Sequence, residues 1–350
     1  MRRTVRGIPA VHGIPTAHPA RRSRAALGAL TAAGTLLALL LPTGSAGAAT
    51  PPGSHRSPAP QTVADAFWTA SRMRSAAPLD LAAPAKGALT TAVPRSAPLK
   101  VPPTLPTLPQ LPKVPSLPSL LPGVLPQAGG PWTGGGAVTK TAGRVFFTYQ
   151  GRNASCSGDA VTSGNKSTVI TAGHCVKLQG NWHTNWVFVP GYHDGEAPYG
   201  KWPAAKTLAT PQWTASEDIN YDVGAAVVAP LDGKKLTDVV GGQGLSFNSG
   251  YNKAMYAFGY PAAAPYDGSK LIYCSGNTIK DPLFSKDHGL SCNMTGGSSG
   301  GPWFTSFDEK TGTGLQASVN SFGYQFLPNT MFGPYFGDDA KNLYEKAQTS

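Results

Sequence analysis

The stretch with the most evident chemistry is Gly297-Ser298-Ser299-Gly300-Gly301-Pro302. A serine set among glycines can occupy a tight turn where no bulky neighbour blocks an approaching group. The glycine two positions before it can leave its backbone N–H pointing at a developing oxyanion. Ser299 is thus a candidate nucleophile, and the N–H groups of Gly297 and Ser299 are candidate oxyanion donors. Glycine-rich turns are common and most are inert, so the reading depends on a base within hydrogen-bond reach of the hydroxyl.

Histidine supplies such a base near neutral pH. Of the seven histidines, three precede residue 56, which leaves His174, His183, His193 and His288. His174 stands out because Ser167-Thr168-Val169-Ile170-Thr171 reads as a strand that stops at Ala172-Gly173, placing the ring just past a sheet edge with Cys175 beside it to tether the turn. An imidazole that takes a proton also needs a buried carboxylate to fix its tautomer. Asp222 leads directly into the apolar run Val223-Gly224-Ala225-Ala226-Val227-Val228, whereas Asp218 sits in a polar stretch and reads as a solvated acid. His183 and His193, with Asp194 nearby, lack a third ligand, so no metal and no cofactor is expected.

The elements that must hold these groups are short strands. Runs rich in Val, Ile, Phe, Tyr and Thr alternate with Gly, Asn, Asp and Pro from Gly143 onward, which predicts an all-β sandwich or barrel. Only Asp338 to Gln348 reads as a helix there, with Leu343, Tyr344 and Ala347 as a sparse apolar stripe that needs a partner surface. Four cysteines, Cys156, Cys175, Cys274 and Cys292, permit three pairings; the spacing favours Cys156 with Cys175 and Cys274 with Cys292. The absence of any CxxC argues against a thiolate metal site.

Ahead of this part the composition differs. Arg21, Arg22 and Arg24 precede an apolar run from Ala25 to Leu41 and small residues at Ala46-Gly47-Ala48, the pattern of an export signal over residues 1–48 that leaves no membrane anchor. Residues 49–138 form an Ala- and Pro-rich prosegment and linker. A short helix is expected around Val63 to Arg74, and from Pro94 to Pro131 proline recurs every two to four residues, predicting stiff polyproline II. Residues 139–350 are the expected catalytic domain. The net charge of +11 belongs to residues 1–139, which carry 13 of the 29 basic groups and two acids, while residues 140–350 are neutral. A nucleic-acid partner is therefore not expected.

Thr171-Ala172-Gly173-His174-Cys175, Asp222-Val223-Gly224 and Gly297-Ser298-Ser299-Gly300-Gly301-Pro302, in the order His, Asp, Ser, resemble the chymotrypsin/trypsin-like serine peptidases, in texture those secreted bacterial members related to the glutamyl endopeptidase branch. The resemblance implies two six-stranded antiparallel β-barrels with the active site between them and a short C-terminal helix. It implies an endopeptidase that hydrolyses protein or peptide substrates through His174, Asp222 and Ser299. From the leader and the proline-rich segment, the chain is expected to be a secreted monomer, with the prosegment in contact with the domain or the chain associated with the cell wall. It further implies that Thr313 to Asn320 pairs with the substrate backbone, that Ser318, Val319 and Asn320 edge the specificity pocket, and that Asn293, Met294, Thr295 and Gly296 form its other wall. Two departures bear on function. Ser298 replaces the aspartate that often precedes the nucleophile, and neutral Asn293 supplies no charge to pair with Lys or Arg. The competing reading is a non-catalytic extracellular or cell-wall binding protein on the same scaffold; retention of all three polar groups and their glycines favours the enzyme.

Overall fold

The computed structural model describes residues 51–56, 63, 66–82 and 127–350, all within one compact unit, Ala49–Ser350. The expected export signal and most of the proline-rich stretch lie outside the described residues.

Six strands close the first barrel: β1 (Ala142–Tyr149), β2 (Arg152–Ala160), β3 (Thr168–Thr171), β4 (Thr184–Pro190), β5 (Trp202–Ala209) and β6 (Gly224–Val228). Each neighbouring pair is antiparallel, running β1 to β2, β3, β6, β5, β4 and back to β1. Closure leaves no unpaired barrel edge. The inward side chains, among them Val145, Phe147, Ile170, Phe188, Trp202 and Leu208, are buried together. The Gly-Ala-Ala-Val-Val run of β6 is wholly buried, which explains its continuous apolar character.

The second barrel is built from β7 (Ala254–Gly259), β8 (Ile272–Asn277), β9 (His288–Ser291), β10 (Pro302–Asp308), β11 (Thr313–Val319) and β12 (Thr330–Gly333). One sheet runs β11, β10, β7, β8, and β9 pairs with β12 in the other. Met255, Ile272, Leu290, Trp303 and Met331 from both sheets share one core. The strand Gln127–Pro131 adds to β8, and Trp132 packs edge-on against Phe258 and Tyr273. This strand lies upstream of residue 139 and packs on the second barrel.

The C-terminal helix Asp338–Gln348 buries Ala340, Leu343 and Ala347. Its partner surface is the first-barrel core, which these residues join. Asp338 and Asp339 in the first turn face the positive end of the helix dipole. Upstream, the helix expected over 63–74 is interrupted: Val63, Ala66 and Phe67 are helical, the chain bends at Trp68, and a second helix runs Ala70–Ser75, capped by the Thr69 side chain. Trp68 is not exposed: its indole is wholly buried against the first barrel.

Candidate active site

β3 ends at Thr171, and one tight turn, Gly173–Cys175, carries His174 beyond the barrel edge. Cys175 is bonded to Cys156 on β2, tying that turn to the sheet, and Cys274 is bonded to Cys292. Asp222 closes the turn Ile219–Tyr221 immediately before β6. β3 and β6 are neighbours in register, Thr171 opposite Gly224, so the two turns emerge side by side.

The two side chains meet twice. The His174 backbone N–H donates to Asp222 Oδ1 at 2.7 Å, and His174 Nδ1 lies 2.7 Å from Asp222 Oδ2. Both side chains are fully buried. The carboxylate can only accept, so Nδ1 is the donor and the neutral ring carries its free lone pair on Nε2. Ser321 Oγ donates a further bond to Asp222 Oδ2 at 2.6 Å, which offsets the cost of burying the carboxylate. Among the described residues, Nε2 has no hydrogen-bond partner. His183 supports the same turn: its Nε2 lies 2.8 Å from the His174 carbonyl, and its ring stacks on Phe147 at 4.3 Å. Burial pushes the His183 ring down to about 4, so it is neutral at ordinary pH and Nε2 is the donor.

The serine turn is braced from the first barrel. Ser157 N–H donates to the Ser299 carbonyl at 2.7 Å, and Ser157 Oγ donates to the Gly297 carbonyl at 2.9 Å. Gly297 has φ +93, and a Cβ there would press on the Tyr260 carbonyl; Gly300 has φ +81, and a Cβ there would strike Thr171 and Ser157. Those two glycines are thus required by the turn itself. Ser298 is buried with its hydroxyl bonded to the Thr295 carbonyl at 2.8 Å, so it stabilises the turn locally.

A cavity of about 300 Å³ opens beside Ser299. Asn293, Met294, Thr295 and Gly296 line it. Asn293 Oδ1 accepts from Tyr266 OH at 2.7 Å, and its N–H donates to the Ala128 carbonyl at 2.7 Å. Ser318, Val319 and Asn320 do not line it. Ser318 Oγ donates to the Pro334 carbonyl at 2.9 Å, Val319 is core, and Asn320 Nδ2 donates to the Ser298 carbonyl at 2.9 Å. The opposite wall is Ser321, Phe322, Gly323 and Tyr324. These lining residues lie three positions further along the chain than expected, beyond the end of β11 at Val319.

Sequence reasoning also passed over Ser157, Ser321 and the upstream segment Ala77–Ala82. Leu79 O accepts from the Gly297 N–H at 3.1 Å, and Asp80 and Leu81 stand in the cavity lining. Nothing in the types of these residues distinguishes them from ordinary loop positions. His183 and His193 do not come together; the first is buried and the second lies at a surface turn. Among the described residues, the one grouping with metal-like spacing is Cys156, His174 and Cys175, whose sulfurs are spent in a disulfide. No helix among the described residues is long and apolar enough to cross a membrane.

No family model matches the chain. A curated "Extracellular metalloprotease" of Bacillus subtilis (strain 168) is 39% identical over 71 residues, 20% of this chain and 22% of that protein. The chain thus spans about a fifth of that relative. Among solved structures, a Glu endopeptidase in complex with MPD shares the fold at 15% identity and a TM-score of 0.51, over 63% of this chain and 97% of that one. The protease Anisep from Arthrobacter nicotinovorans is 46% identical, with a TM-score of 0.58 over 60% of this chain and 96% of its own. A thermostable serine protease, AL20, from an extremophilic microorganism is 41% identical, with a TM-score of 0.58 over 61% of this chain and 99% of its own. With a closed barrel beside a second one and nearly the whole length of two proteases matched above 40% identity, the chain belongs to the chymotrypsin/trypsin-like serine peptidases and is a serine endopeptidase.

Proposed function

We propose that the chain hydrolyses peptide bonds through Ser299, with His174 as base and Asp222 as the group that orients it. The Ser299 Oγ–H proton passes to His174 Nε2 as Oγ bonds the substrate carbonyl carbon. The resulting oxyanion rests on the N–H groups of Gly297 and Ser299, each such donor being worth about 3 kcal/mol in the transition state. The C–N bond then breaks, and the proton on Nε2 goes to the departing amine. Water, deprotonated by the same Nε2, hydrolyses the acyl-enzyme and restores Ser299.

The observation that carries this reading is the doubly bonded, fully buried His174–Asp222 pair, which leaves Nε2 as the one ring nitrogen able to take a proton. Asn293, Met294, Thr295 and Gly296, with Ser321 to Tyr324 opposite, form the substrate pocket, and its neutral floor does not select Lys or Arg. Two disulfides suit an oxidising, extracellular setting, and residues 1–48 supply the export signal. Ser299→Ala and His174→Ala, assayed on a mixed peptide library, should each abolish cleavage while leaving the fold intact. Full activity in either variant rules the assignment out.

A further inference from the structure

The segment before the linker occupies the surface just assigned to substrate. Trp68 is fully buried, its Nε1 donates to the Asn185 carbonyl at 2.6 Å, and its ring packs on Phe146 at 5.4 Å. Met73 and Ala76 join the same cluster with Val187, Val189 and Tyr260. Lys201 Nζ donates to the Trp68 carbonyl at 3.0 Å. A buried tryptophan with both its apolar body and its polar N–H satisfied is the usual form of an interface anchor.

From that anchor the chain crosses the cleft as an added strand. Ala77 and Pro78 pair in parallel with Ala154 and Ser155 of β2, and Leu79 N–H donates to the Ser155 carbonyl at 2.9 Å. The Leu79 carbonyl then accepts from Gly297 N–H at 3.1 Å. Leu81 and Ala82 pair in parallel with Phe322 and Gly323. Both banks of the cleft are thereby bridged by main-chain bonds, as in β-strand addition. Asp80 lies between them in the cavity lining. Burial raises its carboxyl from the ordinary value, and the His174 imidazole nearby acts against that rise. With the segment seated, His174 has no solvent exposure, Ser299 is 4% exposed, and the Gly297 N–H assigned to the oxyanion is taken by the Leu79 carbonyl.

We infer that residues 66–82 are an inhibitor carried by the chain for its own cleft, held by a Trp68 anchor site outside the cleft and by the strap 77–82 within it. This deepens the proposed function and rests on it, because the blocked groups are the proposed catalytic ones. Hydrolysis of any bond between 83 and 126 severs the covalent link and leaves non-covalent contacts to hold the segment: this surface and, further upstream, the strand Gly53–Arg56, which pairs antiparallel with Lys206–Ala209 of β5. The anchor site on Phe146, Val187, Val189 and Tyr260 then persists on the mature enzyme as a docking surface for the free segment.

The test compares the intact chain, the chain cut in 83–126 and freed of its upstream piece, and two intact variants. Trp68→Ala empties the anchor site; Leu79→Pro removes the N–H bonded to Ser155 and leaves the anchor in place. The readout is the rate of Ser299 labelling by a fluorophosphonate probe, with thermal melting as the check on folding. The intact chain should label at least about tenfold more slowly than the cut enzyme, and each folded variant should recover at least about tenfold. A synthetic peptide of residues 66–82 should return the cut enzyme to slow labelling and emerge uncleaved. Equal labelling of intact and cut chains overturns the inference, and so does rapid cleavage of the peptide, since it is then a substrate. If no form labels at Ser299, the proposed nucleophile fails instead.

Discussion

Asp222→Asn changes almost nothing in shape and everything in proton order. Asp222 Oδ1 accepts the His174 backbone N–H at 2.7 Å, so the amide oxygen must remain there, because an NH2 group would face another donor. The amide NH2 then replaces Oδ2, 2.7 Å from His174 Nδ1 and 2.6 Å from Ser321 Oγ. Ser321 can rotate its hydroxyl to accept. Nδ1 cannot keep its proton against a donor, so the ring adopts the other tautomer and Nε2 becomes N–H. An Nε2 that already holds a proton cannot take one from Ser299. A loss of base function of this kind costs about 10⁴-fold in kcat/KM, or about 5 kcal/mol of transition-state stabilisation. Ser321→Ala is the matched control: it removes one hydrogen bond to the carboxylate, about 1.5–3 kcal/mol, and leaves the tautomer alone. Its loss should stay between about tenfold and two hundredfold. The assay is kcat/KM on a peptide substrate with the upstream segment removed, with circular dichroism to confirm folding. Asp222→Asn within tenfold of the parent enzyme, or Ser321→Ala as damaging as Asp222→Asn, refutes the tautomer argument.

Three further outcomes follow from the same geometry. Replacing both Cys156 and Cys175 with Ala opens a loop of 19 residues and should lower stability by about 3 kcal/mol in urea unfolding, with activity falling further because the His174 turn loses its tether. Burial pushes His183 and His288 down to about 4 from 6.5. For these two rings the unfolded chain binds more protons between those values, so their contribution is full above 6.5 and falls as pH drops towards 4, by about 3 kcal/mol per ring, while the buried Asp159 and Asp287 carboxyls, raised by burial, act in the opposite sense. When unfolding free energies at pH 7 and pH 4.5 are compared between the parent and His288→Phe, the variant should lack the His288 share and keep that of His183. Asn293→Asp keeps the acceptor for Tyr266 and adds charge to the pocket floor; cleavage profiling should show kcat/KM after Lys or Arg rising at least about tenfold against other residues.

Much of this molecule is readable from its residues because the chemistry is local. The glycines around Ser299 are needed by backbone angles the turn itself sets, and Asp222 announces burial by preceding five residues of continuous apolar strand. The C-terminal helix is visible as a stripe, although its partner surface is not. What escapes is long-range register. Val319 and Ser321 sit two positions apart, yet Val319 ends β11 in the core while Ser321, past the strand's end, bonds the carboxylate. The barrel surface that buries Trp68 lies about 80 to 190 residues downstream, so no local pattern marks it as an anchor. Asp80 has no motif at all; its meaning comes from the cleft it crosses.

The most direct test of the account is covalent capture of the nucleophile. The cut enzyme, freed of its upstream segment, is treated with a fluorophosphonate and digested, and the modified peptide is mapped by mass spectrometry. One adduct per chain is expected, on Ser299, with none in Ser299→Ala and none in His174→Ala under the same exposure. An adduct on another residue in active enzyme, or undiminished labelling in Ser299→Ala, contradicts it.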